Sequence, residues 1–387
     1  MYVTLGRLFF RGSSLLHRAG FTVDVISTNA FFKKNKSIRD YFLAEKDEIL
    51  AKAALQKVKN KYALVVIGDD PTLGKIMHSD LSTEDKLKLL PVMSDKNLDH
   101  IFSKIGLSLV FDSHGINTPD YRVARNEAEL KTSARALGYP ILVKIDSSAG
   151  GIGVFESHDD KDLESLAGKL REYPVLVQQK IKGIEVSVEA FYQKGELIHF
   201  ACSIPEKSNY KFGPTSVRRY MHRAFLDKEV FDNLTLVGKA LGADGFVNMS
   251  SILADHDKEL YFFEADMRPN LWIDYSRYFG DDLAEAINRH FSSGEKATYP
   301  YPFNPEYPEQ IQMSHFFRIT LSDLLLNRYQ VWKRLPQNFL YVTLHYKIWA
   351  HVRFMPKTLY KRLLPKPWRA ILKNIRSRVH GRLIQTV

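Results

Sequence analysis

The most chemically suggestive run in the sequence is Ile141-Leu-Val-Lys144-Ile, followed by Asp146-Ser147-Ser148-Ala149-Gly150-Gly151-Ile-Gly153. Three glycines among small polar residues, set between two short apolar runs, let backbone N–H groups approach a phosphate closely. Lys144 is the one charged residue of its run, and a lysine in such a place is costly unless it is paired. Its ammonium stands at the foot of the loop and could reach the same phosphate. The plain alternative is an ordinary flexible hairpin. A second run is Glu264-Ala-Asp266-Met-Arg268. Strand residues two apart share a face, so these three side chains project together. The two carboxylates repel each other, and a Mg²⁺ ion completed by phosphate and water oxygens would relieve that repulsion. The alternative here is a solvated strand end with an Arg268 salt bridge.

Other patterns are set aside. Gly68-Asp-Asp-Pro-Thr-Leu-Gly74-Lys75-Ile76 resembles a P-loop, but five residues separate its glycines and Ile76 stands where a Ser or Thr must reach the metal. Gly150-Gly-Ile-Gly153 lacks dinucleotide-binding spacing. The 13 histidines are scattered, with no metal-site spacing, and there is no G-x-S-x-G elbow.

The elements that must position these residues follow from periodicity. Residues 2–5, 21–27 and 62–67 read as short strands alternating with helical stretches such as 47–58, which argues a small parallel α/β domain over 1–91. Ser94 is expected to cap a helix running to Ile105 and ended by Gly106. Strands are expected at 121–124, 141–145, 154–155, 175–179, 185–191, 197–204, 246–253 and 259–266, with helices at 128–137, 161–172 and 228–241. Pro205 to Thr215 reads as a long polar loop. The expected fold class is therefore α/β and α+β.

At 387 residues and 45% hydrophobic, the chain can bury a full core across two or three units. The lone Cys202 excludes an internal disulfide framework and suits a reducing, cytoplasmic setting. Arg7, Arg11, His17 and Arg18 interrupt the apolar N-terminus, which therefore does not read as a signal peptide. No stretch reaches the roughly 20 apolar residues of a membrane span. Net charge is +11, yet the last acid is Asp323. Fourteen of the 55 lysines and arginines lie from Arg328 onward, leaving 41 against 44 acids in the rest. This basic extension, 325–387, carries Trp332, Trp349 and Trp368 and is read as a helical segment docking on an anionic membrane surface or a protein partner, ahead of nucleic acid.

The order and spacing of these motifs resemble the ATP-grasp superfamily, particularly the carbamoyl-phosphate synthase large chain, biotin carboxylase and D-alanine–D-alanine ligase. The resemblance covers roughly residues 94–287. It implies a pre-ATP-grasp domain over 1–91, an N-terminal lobe with a glycine-rich lid over 92–177, and a C-terminal lobe with metal-binding strands over 178–300. Asp95-Lys96 resembles the family's Asp-Lys, whose lysine reaches ATP phosphates. Lys144 with Ser147, Ser148, Ala149, Gly150, Gly151 and Gly153 resembles the strand lysine and mobile lid. Gln178-Gln179-Lys-Ile181 resembles the adenine hinge, with Glu185 on the ribose hydroxyls. Asn248 and Ser250, with Glu264 and Asp266, resemble the metal-binding strand pair.

Two departures stand out. Gln178 replaces the hinge glutamate, and Ser250 replaces the first-strand carboxylate while Asp266 stands where an asparagine is common. The resemblance implies ATP and Mg²⁺ as cofactors and a carboxylate-amine or carboxylate-thiol ligase acting through an acyl phosphate. Arg268 would stabilise the transferred phosphoryl group, and Arg218 with Arg219 would clamp the substrate carboxylate. A homodimer is compatible with it. The alternative is a catalytically impaired ATP-binding or scaffold protein of the same fold.

Overall fold

The computed structural model describes residues 1–4, 10–28, 35–45, 49, 52–53, 62–208, 210–315 and 321–330. Most of the 47–58 helix and of the basic extension lies outside these residues.

The first sheet is parallel throughout and has the order β3-β2-β1-β4, formed by β1 (Tyr2–Thr4), β2 (Asp24–Ser27), β3 (Asp40–Leu43) and β4 (Val66–Ile67). Helix α1 (Phe10–Arg18) follows β1, while α2 (Asp70–Met77) and α3 (Thr83–Leu89) follow β4. Asp69 caps α2 by accepting from the Thr72 N–H at 2.9 Å, and Pro71 sits in the first turn. The P-loop-like segment is thus a capped helix start.

Helix α4 (Lys104–Ser113) departs from expectation. Ser94 opens only a short 3₁₀ turn, Asp95–Asn97, and Ser103 is the residue that caps the helix, accepting from the Gly106 N–H at 2.9 Å. Gly106 lies inside the first turn of the helix. A Cβ there would sit 1.9 Å from the Asp99 carbonyl, so glycine serves the tight approach of the preceding chain and not a helix stop.

A four-stranded sheet of order β5-β8-β6-β7 follows, built from β5 (Tyr121–Ala124), β6 (Ile141–Ile145), β7 (Val154–Ser157) and β8 (Val175–Gln179). Helices α5 (Glu127–Leu137) and α6 (Asp160–Ala167) cover one face of it, burying Ile141, Val143, Val175 and Val177 against Leu130, Ala134 and Leu163. Side chains alternate along a strand, so Lys144, Leu176 and Gln178 point to the opposite face, away from these helices.

The largest sheet has six antiparallel strands in the order β13-β12-β9-β10-β11-β14. They are β9 (Gly183–Gln193), β10 (Glu196–Ser208), β11 (Thr215–Met221), β12 (Gly245–Ala254), β13 (Leu260–Asp266) and β14 (Gln310–Ser314). The β9–β10 hairpin turns at Lys194-Gly195, both at positive φ (49° and 76°), the pairing that matches strand twist. The expected loop from Pro205 to Thr215 is shorter than read, because β10 runs on through Ser208. β14 and helix α8 (Leu283–Ser293) were not legible in the sequence. The back of this sheet, through Val188, Ala190, Tyr192 and Phe200, packs on helix α7 (Lys228–Ala240) and shares one core with Met1, Ile26 and Ile67 of the first sheet.

Candidate active site

Lys144 is 4% exposed, a burial that would strand its charge without partners. Its Nζ donates to the Gln178 Oε1 at 2.6 Å and lies 4.8 Å from the centre of the Phe263 ring, on edge strand β13. Burial pulls its pKa down to about 8; Glu264 opposes that shift and Lys104 adds to it. The face of the four-stranded sheet away from its helices therefore looks onto β13, with two lysines and Glu264 within electrostatic range of one another.

Lys104 is held by the glycine-rich hairpin itself. Its Nζ donates to the Asp146 carbonyl at 3.2 Å, to the Ser148 Oγ at 3.1 Å and to the Ser148 carbonyl. Asp146 in turn accepts from the Ile105 N–H at 2.8 Å and from the Ser103 hydroxyl at 2.9 Å, placing a carboxylate at the positive N-terminus of α4. A cleft of about 430 Å³ opens here, lined by Asp70, Ser103, Lys104, Ser148, Glu264 and Asp266 among others.

Directly paired antiparallel residues share a face, so register shows what floors the site. One row runs Glu264, Ser250, Ser187, Ser203 across β13, β12, β9 and β10, and the next runs Asp266, Asn248, Glu189. Among the described residues no group of three or more His, Cys, Asp or Glu gathers as a metal centre. What gathers is a carboxylate pair beside the neutral oxygens of Ser250 and Asn248. Burial pushes the Asp266 carboxyl well above its ordinary value; Arg268 pulls the other way, while Glu264 and Asp70 reinforce the rise. A divalent cation would relieve that crowding, and one or two carboxylates completed by substrate oxygens suit Mg²⁺.

Arg268 is not free. It forms a two-pronged ion pair with Asp70 and donates to Asp266 at 2.9 Å, and these acids outweigh burial and keep its charge. Glu189, 5% exposed, accepts from Arg218, from the Tyr220 hydroxyl at 3.1 Å and from the Asn270 amide at 3.1 Å. Arg218 also lies 5.0 Å from the Trp272 ring.

The lid is latched. Tyr210, in the β10–β11 connection, donates to the Gly150 carbonyl at 2.9 Å, and a Cβ on Gly151 would stand 1.9 Å from the Phe212 carbonyl. Lys211 and Lys180 reach Glu156 of β7 at 2.6 and 2.8 Å, and their hydrogen bonds hold its carboxyl down to about 2.

Of the expected site residues, Lys144, Ser148, Ala149, Gln178, Asn248, Ser250, Glu264, Asp266 and Arg268 come together. Glu185 is exposed at the start of β9, two residues before Ser187 on the same face; desolvation raises its carboxyl, Arg218 opposes and Glu264 adds to the rise. Ser147, Gly150 and Gln179 are exposed, Gly151 and Ile181 half-buried and Gly153 buried.

Two expectations are corrected. Lys96 is exposed on the short 3₁₀ turn and is not among the cleft-lining residues, whereas Lys104 is, because the helix begins nine residues later than read. Arg218 and Arg219 cannot clamp one group together, since strand neighbours face opposite ways: Arg218 pairs with buried Glu189, and Arg219 is exposed with Glu206. The sequence alone did not single out Lys104, Asp146, Glu189 or Asp70. Ser103, a capping residue just before an apolar helical run, was the one available signal for Lys104.

No protein-family model matches the chain. Over 217 residues it is 24% identical to the carbamoyl phosphate synthase large chain of Methanothermobacter thermautotrophicus, covering 50% of this chain and 19% of that one. The chain thus spans about a fifth of that relative's length. The L-amino acid ligase of Bacillus licheniformis superposes with a TM-score of 0.57 at 16% identity, over 74% of this chain and 73% of that one. The biotin carboxylase domain of Hydrogenobacter thermophilus 2-oxoglutarate carboxylase, solved as a dimer with MgADP, ADP and bicarbonate, gives 0.57 at 16% identity over 81% and 74%. The chain has the ATP-grasp fold. Among the described residues no helix is long and apolar enough to cross a membrane.

The latch carries a prediction. Gly151→Ala, which places a Cβ against the Phe212 backbone, and Tyr210→Phe, which removes the donor to Gly150, should both speed amide hydrogen exchange across residues 146–154, the first more strongly, with exchange in β9 unchanged.

Proposed function

We propose that this chain is an ATP-dependent ligase that activates a carboxylate as an acyl phosphate and passes it to an amine or thiol. Residues 1–91 would act as the pre-ATP-grasp domain, and 92–177 and 178–300 as the two lobes. The observation that supports this reading is the convergence of Lys104 and the Glu264–Asp266 pair on one cleft beside the glycine-rich hairpin, with buried Lys144 in electrostatic reach of Lys104 and Glu264. Phosphoryl transfer needs little else from a protein than positioning and neutralised charge.

In this scheme Lys104 and Lys144 hold the phosphate oxygens, and the hairpin, latched by Tyr210, keeps water away from them. Glu264 and Asp266, aided by Asn248 and Ser250, would hold Mg²⁺, which when bound supplies charge neutralisation between phosphates. Arg268, already oriented by Asp70, faces the developing charge. Glu185 accepts from ribose hydroxyls, and the stretch from Gln178 to Ile181 receives the base. Arg218, its charge balanced by Glu189, orients the acceptor from the polar floor. Ser250, standing where a carboxylate is usual, is the feature that supports a binding-only protein, which would bind nucleotide without releasing ADP.

Lys144→Ala and Glu264→Ala should each lower ADP release in the presence of ATP, Mg²⁺ and a panel of carboxylates and amines on the order of 100-fold or more, with circular dichroism unchanged. Full turnover in either variant contradicts the scheme. The ammonium of Lys144 is the phosphate-binding form and is lost above a pKa of about 8, so nucleotide affinity should be constant below pH 8 and weaken as pH rises past it. Lys144→Arg should remove that dependence, because arginine stays charged throughout this range.

A further inference from the structure

The buried amide of Gln178 is half satisfied, and the half left over has chemical consequences. Gln178 is 1% exposed, on the face of β8 that looks away from the helices and into the space between the two sheets. Its Oε1 accepts from the Lys144 Nζ at 2.6 Å, while its Nε2 is buried with no hydrogen-bond partner. An ammonium is a donor with no acceptor capacity, so the amide is fixed with its oxygen toward Lys144 and its NH₂ turned away. The next two backbone N–H groups are already taken up: Gln179 donates to the Asp120 carbonyl at 2.8 Å and Lys180 to the Pro140 carbonyl at 3.2 Å. On this face of β6 and β8 two kinds of group are left for a ligand entering between the sheets, the remaining protons of the Lys144 ammonium and the orphaned NH₂ of Gln178. Both are donors.

A buried donor left unmade is costly, and the group that completes it must be an acceptor. Purines differ in this respect. The edge carrying N7 and the 6-substituent offers two acceptors, N7 and O6, in hypoxanthine and guanine, but one acceptor and one donor, N7 and the N6 amino group, in adenine. A lysine–amide pair of donors matches the first pattern and meets a donor–donor conflict with the second. A glutamate at position 178, the residue that the resemblance leads one to expect, would present an acceptor and reverse the preference without changing the volume of the side chain.

We propose that Gln178 sets the base preference of this site and that the site takes a 6-oxopurine nucleotide at least as well as an adenine nucleotide. This rests on the nucleotide-binding reading above and sharpens it, since it concerns the base rather than the phosphates. Discrimination of this kind, a paired donor against a mismatched one, is worth roughly tenfold or more in affinity.

The test is calorimetric titration of the full chain with inosine 5′-diphosphate and adenosine 5′-diphosphate, which differ at position 6 of the base. The expected result is that the inosine nucleotide binds as tightly as the adenosine nucleotide or more tightly, and that Gln178→Glu shifts the ratio roughly tenfold toward adenosine. Tighter binding of the adenosine nucleotide by the unaltered protein overturns the proposal whatever the variant does, and leaves the nucleotide reading standing. Binding of neither nucleotide overturns both.

Discussion

A buried ammonium between two sheets is the constraint from which the rest of the site follows. Lys144 lies on the face of a strand whose other face is core, and so cannot turn to solvent without unpairing β6 from β8. Its charge survives because Gln178 accepts from it, Phe263 offers a ring face and Glu264 lies within reach across the gap. Lys104 brings a second positive charge close by. Two cations and the Glu264–Asp266 pair thus stand close together, a charge set that the proposed polyphosphate and divalent ion would balance. Burial is the main cause of both the raised carboxyl of Asp266 and the lowered ammonium of Lys144.

The surrounding architecture keeps these groups in place by linking elements far apart in sequence. Asp146 ties the base of the glycine-rich hairpin to the start of α4, its carboxylate accepting from Ile105 and its backbone carbonyl from the Lys104 ammonium. Asp70, at the start of α2, orients Arg268 from the first sheet, and the common core running from Met1 through Tyr192 fixes that sheet against the back of the large one. The hairpin tip rests on the β10–β11 connection through Tyr210 and Phe212, and that connection continues into the strand bearing Arg218. The hairpin tip and the Arg218 strand are therefore mechanically joined.

Much of this was legible in the sequence where chemistry and local pattern agree. The Lys144 strand, the hairpin, the 175–179 strand and the Glu264–Asp266 strand were all visible, because each combines an unmistakable period with residues that have few other uses. What was not legible depended on register or on start points. Ser94 and Ser103 are both competent helix caps, and only tertiary contact with Asp146 shows that the second opens the helix, which makes the cleft-lining lysine 104 and not 96. Glu189 sits in an apolar strand with nothing beside it in sequence to mark it; its partners Arg218, Tyr220 and Asn270 come from 29 residues away or more. The separation of Arg218 from Arg219 required knowing that they lie on one strand with one side covered.

Under the proposed function Lys104, a lysine that no sequence motif marks, contacts phosphate. Nucleotide affinity of the Lys104→Ala and Lys96→Ala variants, measured side by side on the full chain, tests it directly. Loss of a half-buried charge-assisted contact should weaken binding by roughly tenfold or more in Lys104→Ala, while Lys96→Ala should bind as the unaltered protein does. The reverse pattern, with Lys96→Ala impaired and Lys104→Ala unaffected, would contradict the site described here.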